Sequence, residues 1–220
     1  SLLKQFDEMY ESSGSTAQME FKIVKPGKTR TMRMRAWGKG RDHELIVIEA
    51  PTRDAGTATL KVKNNLWNYL PKIARTIRVP PSMMMGAWMG SDFTNDDLVR
   101  RVSYEEDYTN ELIPSDVDGW KIRLIAKPDI PGLWNRVEVV FSIENRLPTQ
   151  VQYFDRKDRL ARTMTFSEVK RIDGRLIPTV MRIVPEREEG HYTEMRYMNI
   201  DFNANVDDSM FSLSRLERRR

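Results

Sequence analysis

The chain has 220 residues, 40% of them hydrophobic and 31% charged, and its 36 Lys and Arg against 32 Asp and Glu give a net charge of +4. That length supports a core without covalent staples, and the composition excludes a disordered chain or one built on membrane-spanning helices. The absence of cysteine excludes disulfides, thiol nucleophiles and thiolate metal sites; so small a charge excess, without an RNP-like run, zinc-finger spacing or basic helix, gives no support for nucleic acid as a partner.

The first dozen residues, SLLKQFDEMYES, place Leu2, Leu3, Phe6, Met9 and Tyr10 at helical spacing and predict a short amphipathic helix ended by SSGS. They begin without an initiator methionine or a charged-then-apolar leader, so a targeting segment is expected to have been removed or trimmed from the sequence. The period then switches to two. Met19, Phe21 and Ile23 alternate with Gln18, Glu20 and Lys22, and after KPGK Met32, Met34 and Ala36 alternate with Arg33 and Arg35, which predicts a hairpin. The same pattern recurs in HELIVIEA, GTATLKVK, LWNYLP, RTIRV, WKIRLIAK, RVEVVFSIE, PTQVQYFD, LARTMTFSEV, LIPTVMRIV and HYTEMRYMNIDF, mostly joined by short turns such as KGRD, VKNN, DRKD and IDGR. Short connections favour antiparallel neighbours, because parallel strands need long crossovers.

In RVEVVFSIE, Val137, Val139, Phe141 and Ile143 fall on one face and Arg136, Glu138, Val140 and Ser142 on the other, so one dry and one wet face are expected. A sheet of ten or more strands with one apolar face must close, fold onto itself or wrap around helices. Helical candidates are few: the N-terminal segment, the stretch NDDLVRR after MGSDF, and DDSMFSLSRL near the end. They cannot fill a large barrel, which leaves a sandwich or a partly filled concave sheet with room for a ligand, in a single domain over residues 1–220.

Enzymatic motifs are sparse. His43 and His191 each stand beside a predicted strand without a second histidine at ligand spacing, and the chain has no G-x-S-x-G elbow, phosphate loop or dinucleotide fingerprint. Asp92, Thr94 and Asp96 alternate as in a calcium loop, but Asp97 and Ser103 stand where that loop wants glycine and glutamate. Thr94 followed by Asp97 instead predicts a capping box opening a helix, with Asp96 and Asp97 at its positive end. Trp67 and Tyr69 alternate on a strand, and Trp37, Trp67, Trp88, Trp120 and Trp134 are spread along the chain, where several facing one concave surface would line a pocket. MMMGAWMGSDF, residues 83–93, suits neither a regular helix nor a strand, since Gly86 and Gly90 weaken both. It reads as a loop, either a movable flap over an apolar cavity or a plug in a core gap.

HELIVIEAP, GTATLKVKNNLWNYLPKIARTIRVPPSMMMGAWMGSDFTNDDLVR and the following DYTNEL resemble the LolA-like outer-membrane lipoprotein-sorting proteins, in particular an uncharacterised branch associated with hydrophobe exporters of the resistance-nodulation-division type. A loop of the form S-x-M-G-S-D-F-x-x-x-D-L matches Ser82 to Leu98 with an insertion, the methionine stretch being longer here. The match is specific over the central third of the chain and rests on pattern and length elsewhere. The resemblance implies a mainly β fold with a few helices: a large, curved antiparallel sheet forming an unclosed half-barrel around short helices, with an apolar cavity that shields acyl chains in the periplasm. It implies a non-enzymatic carrier without cofactor or metal, its partners being lipid or lipoprotein acyl chains, an exporter of that type and the membrane surface. Trp37, Leu45, Trp67, Tyr69, Met83, Met84, Met85, Trp88, Met89 and Phe93 are the residues expected to line the cavity or form its lid. Arg75 and Arg78, beside the flap, are placed to meet an anionic head group or membrane. Two rivals stand beside this reading: a cell-envelope adaptor with a fully packed sheet, and a lipid-ester hydrolase using Ser82, Ser91 or the acids around Asp92.

Overall fold

The computed structural model describes residues 1–99, 103–128 and 134–218. The period-two segments become thirteen strands of one sheet: β1 (Ser15–Lys25), β2 (Lys28–Lys39), β3 (His43–Ala50), β4 (Ala58–Val62), β5 (Asn65–Leu70), β6 (Arg75–Arg78), β7 (Tyr108–Ile113), β8 (Trp120–Ala126), β9 (Arg136–Phe141), β10 (Pro148–Phe154), β11 (Leu160–Ile172), β12 (Arg175–Pro185) and β13 (Tyr192–Asp201). Their order across the sheet is β6-β5-β4-β3-β2-β1-β13-β12-β11-β10-β9-β8-β7, every pairing is antiparallel, and the sheet does not close into a barrel. This is the unclosed, mainly β fold that the alternation and the resemblance implied.

Turn chemistry sets the hairpins. Lys25 pairs with Lys28 across Pro26 and Gly27, with Gly27 at φ 71°. Ile172 pairs with Arg175 across Asp173 and Gly174, both at positive φ, the pairing geometry that suits the right-handed twist of the flanking strands. Successive strands are neighbours everywhere except at β6 and β7, and one pairing joins strands far apart in sequence. β1 pairs with β13, which joins the N-terminal half of the sheet to the C-terminal half. β6 and β7 are the two open edges, so the chain between them, residues 79–107, must travel from one edge of the sheet to the other.

The described residues of that segment, 79–99 and 103–107, pack on the inner face. Helix α1 (Leu2–Asp7), capped by the Ser1 hydroxyl, packs on the same face. A main core forms between them and the sheet from Leu3, Met19, Phe21, Met32, Met34, Trp88, Phe93, Val139, Phe141, Phe166, Met195 and others. The outer face of β3 to β5 is covered separately by the C-terminal segment, a 3-10 turn over Asp208–Phe211 and helix α3 (Leu213–Glu217). Leu45, Val47, Leu60 and Tyr69 meet Val206, Phe211 and Leu216 there. Helix α2 (Asn95–Val99) follows MGSDF as expected; Arg100 and Arg101, the last residues of the predicted NDDLVRR helix, lie outside the described residues.

Two expectations are corrected. Arg136–Phe141 is not dry on one face and wet on the other: Val137, Val139 and Phe141 are buried inside, but Val140 and Glu138 of the opposite face are buried too. Glu138 is covered by its own ion pairs, with Lys121 at 3.2 Å, Arg123 at 3.3 Å and Arg136. Ile143 leaves the strand and is exposed. And β7 is a strand that alternation did not indicate, because an edge strand with four exposed residues in a row carries no apolar period.

Candidate functional site

The inner face is built from the side chains that the register places opposite one another. Met19 of β1 faces Tyr197 of β13, and Phe21 faces Met195. Phe166 of β11 faces Met181 of β12, and Arg162 of β11 faces Tyr153 of β10. Onto this surface the crossing segment is pinned by specific bonds. The Trp88 indole N–H donates to the Thr59 hydroxyl at 3.0 Å, which donates on to Asn68 at 2.7 Å. The Trp88 ring stands 5.2 Å from that of Phe21, and Phe93 stands 5.5 Å from the same ring. Arg30 Nη1 donates to the carbonyl of Met89 at 3.1 Å, and Asp92 and Thr193 exchange two hydrogen bonds, Asp92 N–H to Thr193 Oγ1 and Thr193 O–H to Asp92 Oδ2. Met89 is held at φ 51°, a left-handed conformation that costs a non-glycine residue about 1–2 kcal/mol and persists because its surroundings fix it.

Thr94 caps α2 as predicted. The Asp97 N–H donates to Thr94 Oγ1 at 3.1 Å and the Thr94 N–H donates to Asp97 Oδ2 at 2.7 Å, a reciprocal capping box. Asp97 has a second role that the sequence did not reveal. The Arg162 guanidinium grips both its oxygens, at 2.6 Å each, and lies over the rings of Tyr153 (4.2 Å) and Trp134 (4.9 Å). Burial alone pushes the Asp97 carboxyl up, but the charge and hydrogen bonds of Arg162, with those of Thr94, bring it below the ordinary value.

Between α1, the crossing segment and the sheet lies a cavity of about 180 Å³. One part of its wall is apolar and rich in thioethers: Met19, Phe21, Ile46, Phe93, Met164, Phe166, Met181 and Met195. Another part is aromatic and polar: Phe6, Asp7, Asp96, Asp97, Tyr104, Tyr108, Trp134 and Tyr153. Its phenols are engaged, Tyr104 with Tyr153 at 3.1 Å and Tyr108 donating to the Trp134 carbonyl at 3.2 Å, and burial raises their pKa values, so they stay neutral. A smaller recess of about 70 Å³ shares Tyr10, Met19, Arg41, Glu44 and Tyr197 with it. The arrangement suits a molecule with an apolar body and a hydrogen-bonding end.

The structure does not bring the ten expected residues together. Phe93 lines the cavity. Trp88 is buried in the main core, and Met89 packs partly against it. Met84 is buried in a small cluster with Leu66, Val79 and Val99, whereas Met83 and Met85 on either side of it face solvent. Trp37, Leu45, Trp67 and Tyr69 stand on the outer face, under the C-terminal segment. Strand parity explains the last four: Ala36, Ile46 and Asn68 point inward, so their neighbours in sequence point out. The 83–93 stretch is neither a regular helix nor a strand, as expected; it runs through 3-10 turns at Pro81–Met83 and Trp88–Gly90 and is tied down by a bridge from Ala87 to Thr94. The lining residues of α1, β1, β11, β12 and β13 were visible in the sequence as apolar faces, and only the topology shows which of them meet.

Residues of the alternative chemistries are dispersed. Ser91 Oγ donates to the Trp88 carbonyl at 2.6 Å, Ser82 is exposed, and His43 lies against Phe211 on the outer face. Asp92, Glu188 and His191 place one potential metal-ligand atom each within 4.8 Å of one another. His191 Nδ1 and a Glu188 carboxylate oxygen stand 2.6 Å apart, and Asp92 is bonded to Thr193.

Comparison with known proteins narrows the reading. A family model described as "Uncharacterized protein"-like matches residues 40–218. The chain belongs to that family of uncharacterised proteins. Its fold is similar to the crystal structure of a DUF1329 family protein from Desulfovibrio piger, with a TM-score of 0.88 at 25% identity over 98% of this chain and 96% of the other. It is similar also to a putative outer membrane lipoprotein-sorting protein domain from Vibrio parahaemolyticus (TM-score 0.82, 22% identity, 98% and 97% covered). A LolA superfamily protein from Nitrosomonas europaea shares the fold as well (0.79, 18%, 97% and 97%). No curated protein matches the chain in sequence. In this fold, the inner cavity described above is the part with room for a ligand.

Proposed function

We propose that the protein is a non-enzymatic periplasmic carrier that shelters an acyl chain or a similar hydrophobe in its inner cavity. The observation that carries this reading is the cavity itself, an apolar space inside an open sheet whose wall includes Met19, Met164, Met181 and Met195. Methionine is flexible and polarisable and repacks around varied apolar partners, and each buried methylene contributes about 0.8 kcal/mol, so an acyl chain is held without a charged anchor. At about 180 Å³ the space is below the roughly 300–1,000 Å³ of sites that hold drug-sized ligands. A long chain therefore requires the crossing segment to yield, with Phe93, Asp96, Asp97 and Leu98, which line the cavity, as the part nearest the cargo. Acylated lipoproteins are one cargo class supported by the description of the Vibrio neighbour, and free lipids are another. Donor and acceptor for such a carrier are membranes or membrane-bound exporters.

Filling the cavity tests this. Met164→Trp and Met195→Trp place an indole where the cargo would lie, and each is expected to lower uptake of a fluorescent fatty-acyl probe at least tenfold while the protein stays folded by circular dichroism. Equal uptake by both variants and the parent would remove the cavity from the function and favour an adaptor whose working surface is the outer face.

A further inference from the structure

From residue 55 to residue 91 the chain has no Asp or Glu, although it carries 32 of them in 220 residues, and within that span it has Lys61, Lys63, Lys72, Arg75 and Arg78. The fold gathers the middle of this span at one edge of the sheet: a 3-10 turn over Pro71–Ile73, the edge strand β6, and the 3-10 turn Pro81–Met83. Large apolar side chains are exposed there in the same short stretch, Ile73 at 57%, Ile77 at 47%, Met83 at 58% and Met85 at 43%. Lys72, Arg75 and Arg78 are exposed between them. Among the described residues none of these three cations is paired with a carboxylate. Arg78 donates to the Asn65 side chain, and the nearby Glu217 accepts from the Thr76 hydroxyl at 2.9 Å.

The opposite edge has the opposite sign. Leu112 and Val117 are exposed beside β7, but they lie among Glu111, Asp116 and Asp118, with Lys121 bonded to Asp116 at 3.0 Å and Arg123 to Glu111 at 3.1 Å. An anionic surface would attract the first edge and not the second, so it would orient the molecule one way round.

We propose that the β6 edge, residues 71–85, is a docking surface for an anionic lipid bilayer. Lys72, Arg75 and Arg78 meet the head groups, and Ile73, Ile77, Met83 and Met85 enter the interfacial layer between them. Interleaved cations and apolar side chains are the chemistry of interfacial binding, in which electrostatic attraction and buried apolar area add. Met83 and Met85 flank the buried Met84, in the segment that crosses the cavity, so membrane contact falls on the element that must yield for cargo to pass. The proposal rests on the carrier reading for its purpose only; the contact itself is tested without cargo.

Vesicle flotation decides it, with phosphatidylcholine vesicles prepared with and without phosphatidylglycerol. The protein is expected to float with the anionic vesicles and not with the neutral ones, and to be released as salt is raised. A basic residue near such a surface is worth about fivefold in affinity, so K72Q/R75Q/R78Q is expected to weaken binding about a hundredfold. M83S/M85S is expected to weaken it about tenfold. The control K25Q/K28Q/K157Q, which removes as much charge from other exposed positions, should leave it nearly unchanged. Binding indifferent to lipid charge, equal loss in the control, or no flotation at low salt would overturn the proposal, the last leaving an acidic protein as the partner for this edge. Acyl-probe uptake measured on the same variants without vesicles separates the two claims: its retention in K72Q/R75Q/R78Q locates a flotation defect at the edge, whereas absent uptake in the parent protein tells against the cavity alone.

Discussion

Arg162 sits with its guanidinium against two aromatic rings and both oxygens of Asp97, and the desolvation of these charges is offset only while both are present. Arg162→Met leaves the carboxylate without its cation and is expected to cost about 3–5 kcal/mol in denaturant unfolding. The same pair gives a pH dependence. The Asp97 carboxyl is lowered in the folded state from its ordinary 3.8. Its stabilising contribution is therefore complete above that value and is lost as pH falls through the lower folded value. Asp97→Asn is expected to lower stability at neutral pH and to flatten the acid limb of the stability curve below about pH 4; an unchanged limb would assign acid sensitivity to other groups. At the other end of the capping box, Thr94→Ala is expected to cost about 1 kcal/mol. Thr94 and Asp97 were legible as a cap because their spacing is local. Arg162, sixty-five residues away, was not, because nothing in LARTMTF distinguishes an inward arginine from an exposed one.

The crossing segment is the element on which the account turns. Three consecutive methionines looked alike in the sequence, and the fold treats them differently: Met84 is buried among Leu66, Val79 and Val99, while Met83 and Met85 face out. Met84→Ala is expected to lose about 2–5 kcal/mol through lost burial and a cavity, and Met83→Ala or Met85→Ala to stay within about 0.5 kcal/mol. Denaturant unfolding of the three single variants checks this. Equal small losses at all three would mean that the segment is loosely held. The glycine-interrupted, apolar character of MMMGAWMGSDF was enough to mark it as unusual. Its folded state depends on long-range partners, Arg30, Thr59 and Thr193, that no local pattern reveals. Strand alternation likewise located β1, β2, β11 and β12 but could not say which face was inner where both are covered. Trp37, Leu45, Trp67 and Tyr69 were assigned to the cavity for that reason and lie under the C-terminal segment instead.

At the scale of the whole molecule, the sheet is continuous because β1 and β13 pair, and the main core is shared between its halves: Phe21 from the first packs in the same cluster as Met195 and Phe166 from the second. We propose that residues 1–220 fold as one unit, and thermal unfolding should show one transition shared by near-ultraviolet and far-ultraviolet circular dichroism. Two separate transitions with matching proteolytic fragments would contradict it. The mainly antiparallel class was legible because short turns and period-two runs fix neighbours locally; the open inner face followed from a shortage of helices to fill it. The path between the edges was not legible, since it depends on which strands end up as edges. That path puts residues 79–99 and 103–107 on the inner face and leaves the cavity beside them. The central claim, that this cavity carries a hydrophobe, is tested most directly by mass spectrometry of the organic extract from gently purified protein, paired with acyl-probe uptake after delipidation. The account predicts a co-purifying hydrophobe near one per protein that is displaced by the probe and missing from Met195→Trp. A parent protein that yields no extractable hydrophobe and takes up no probe would contradict it.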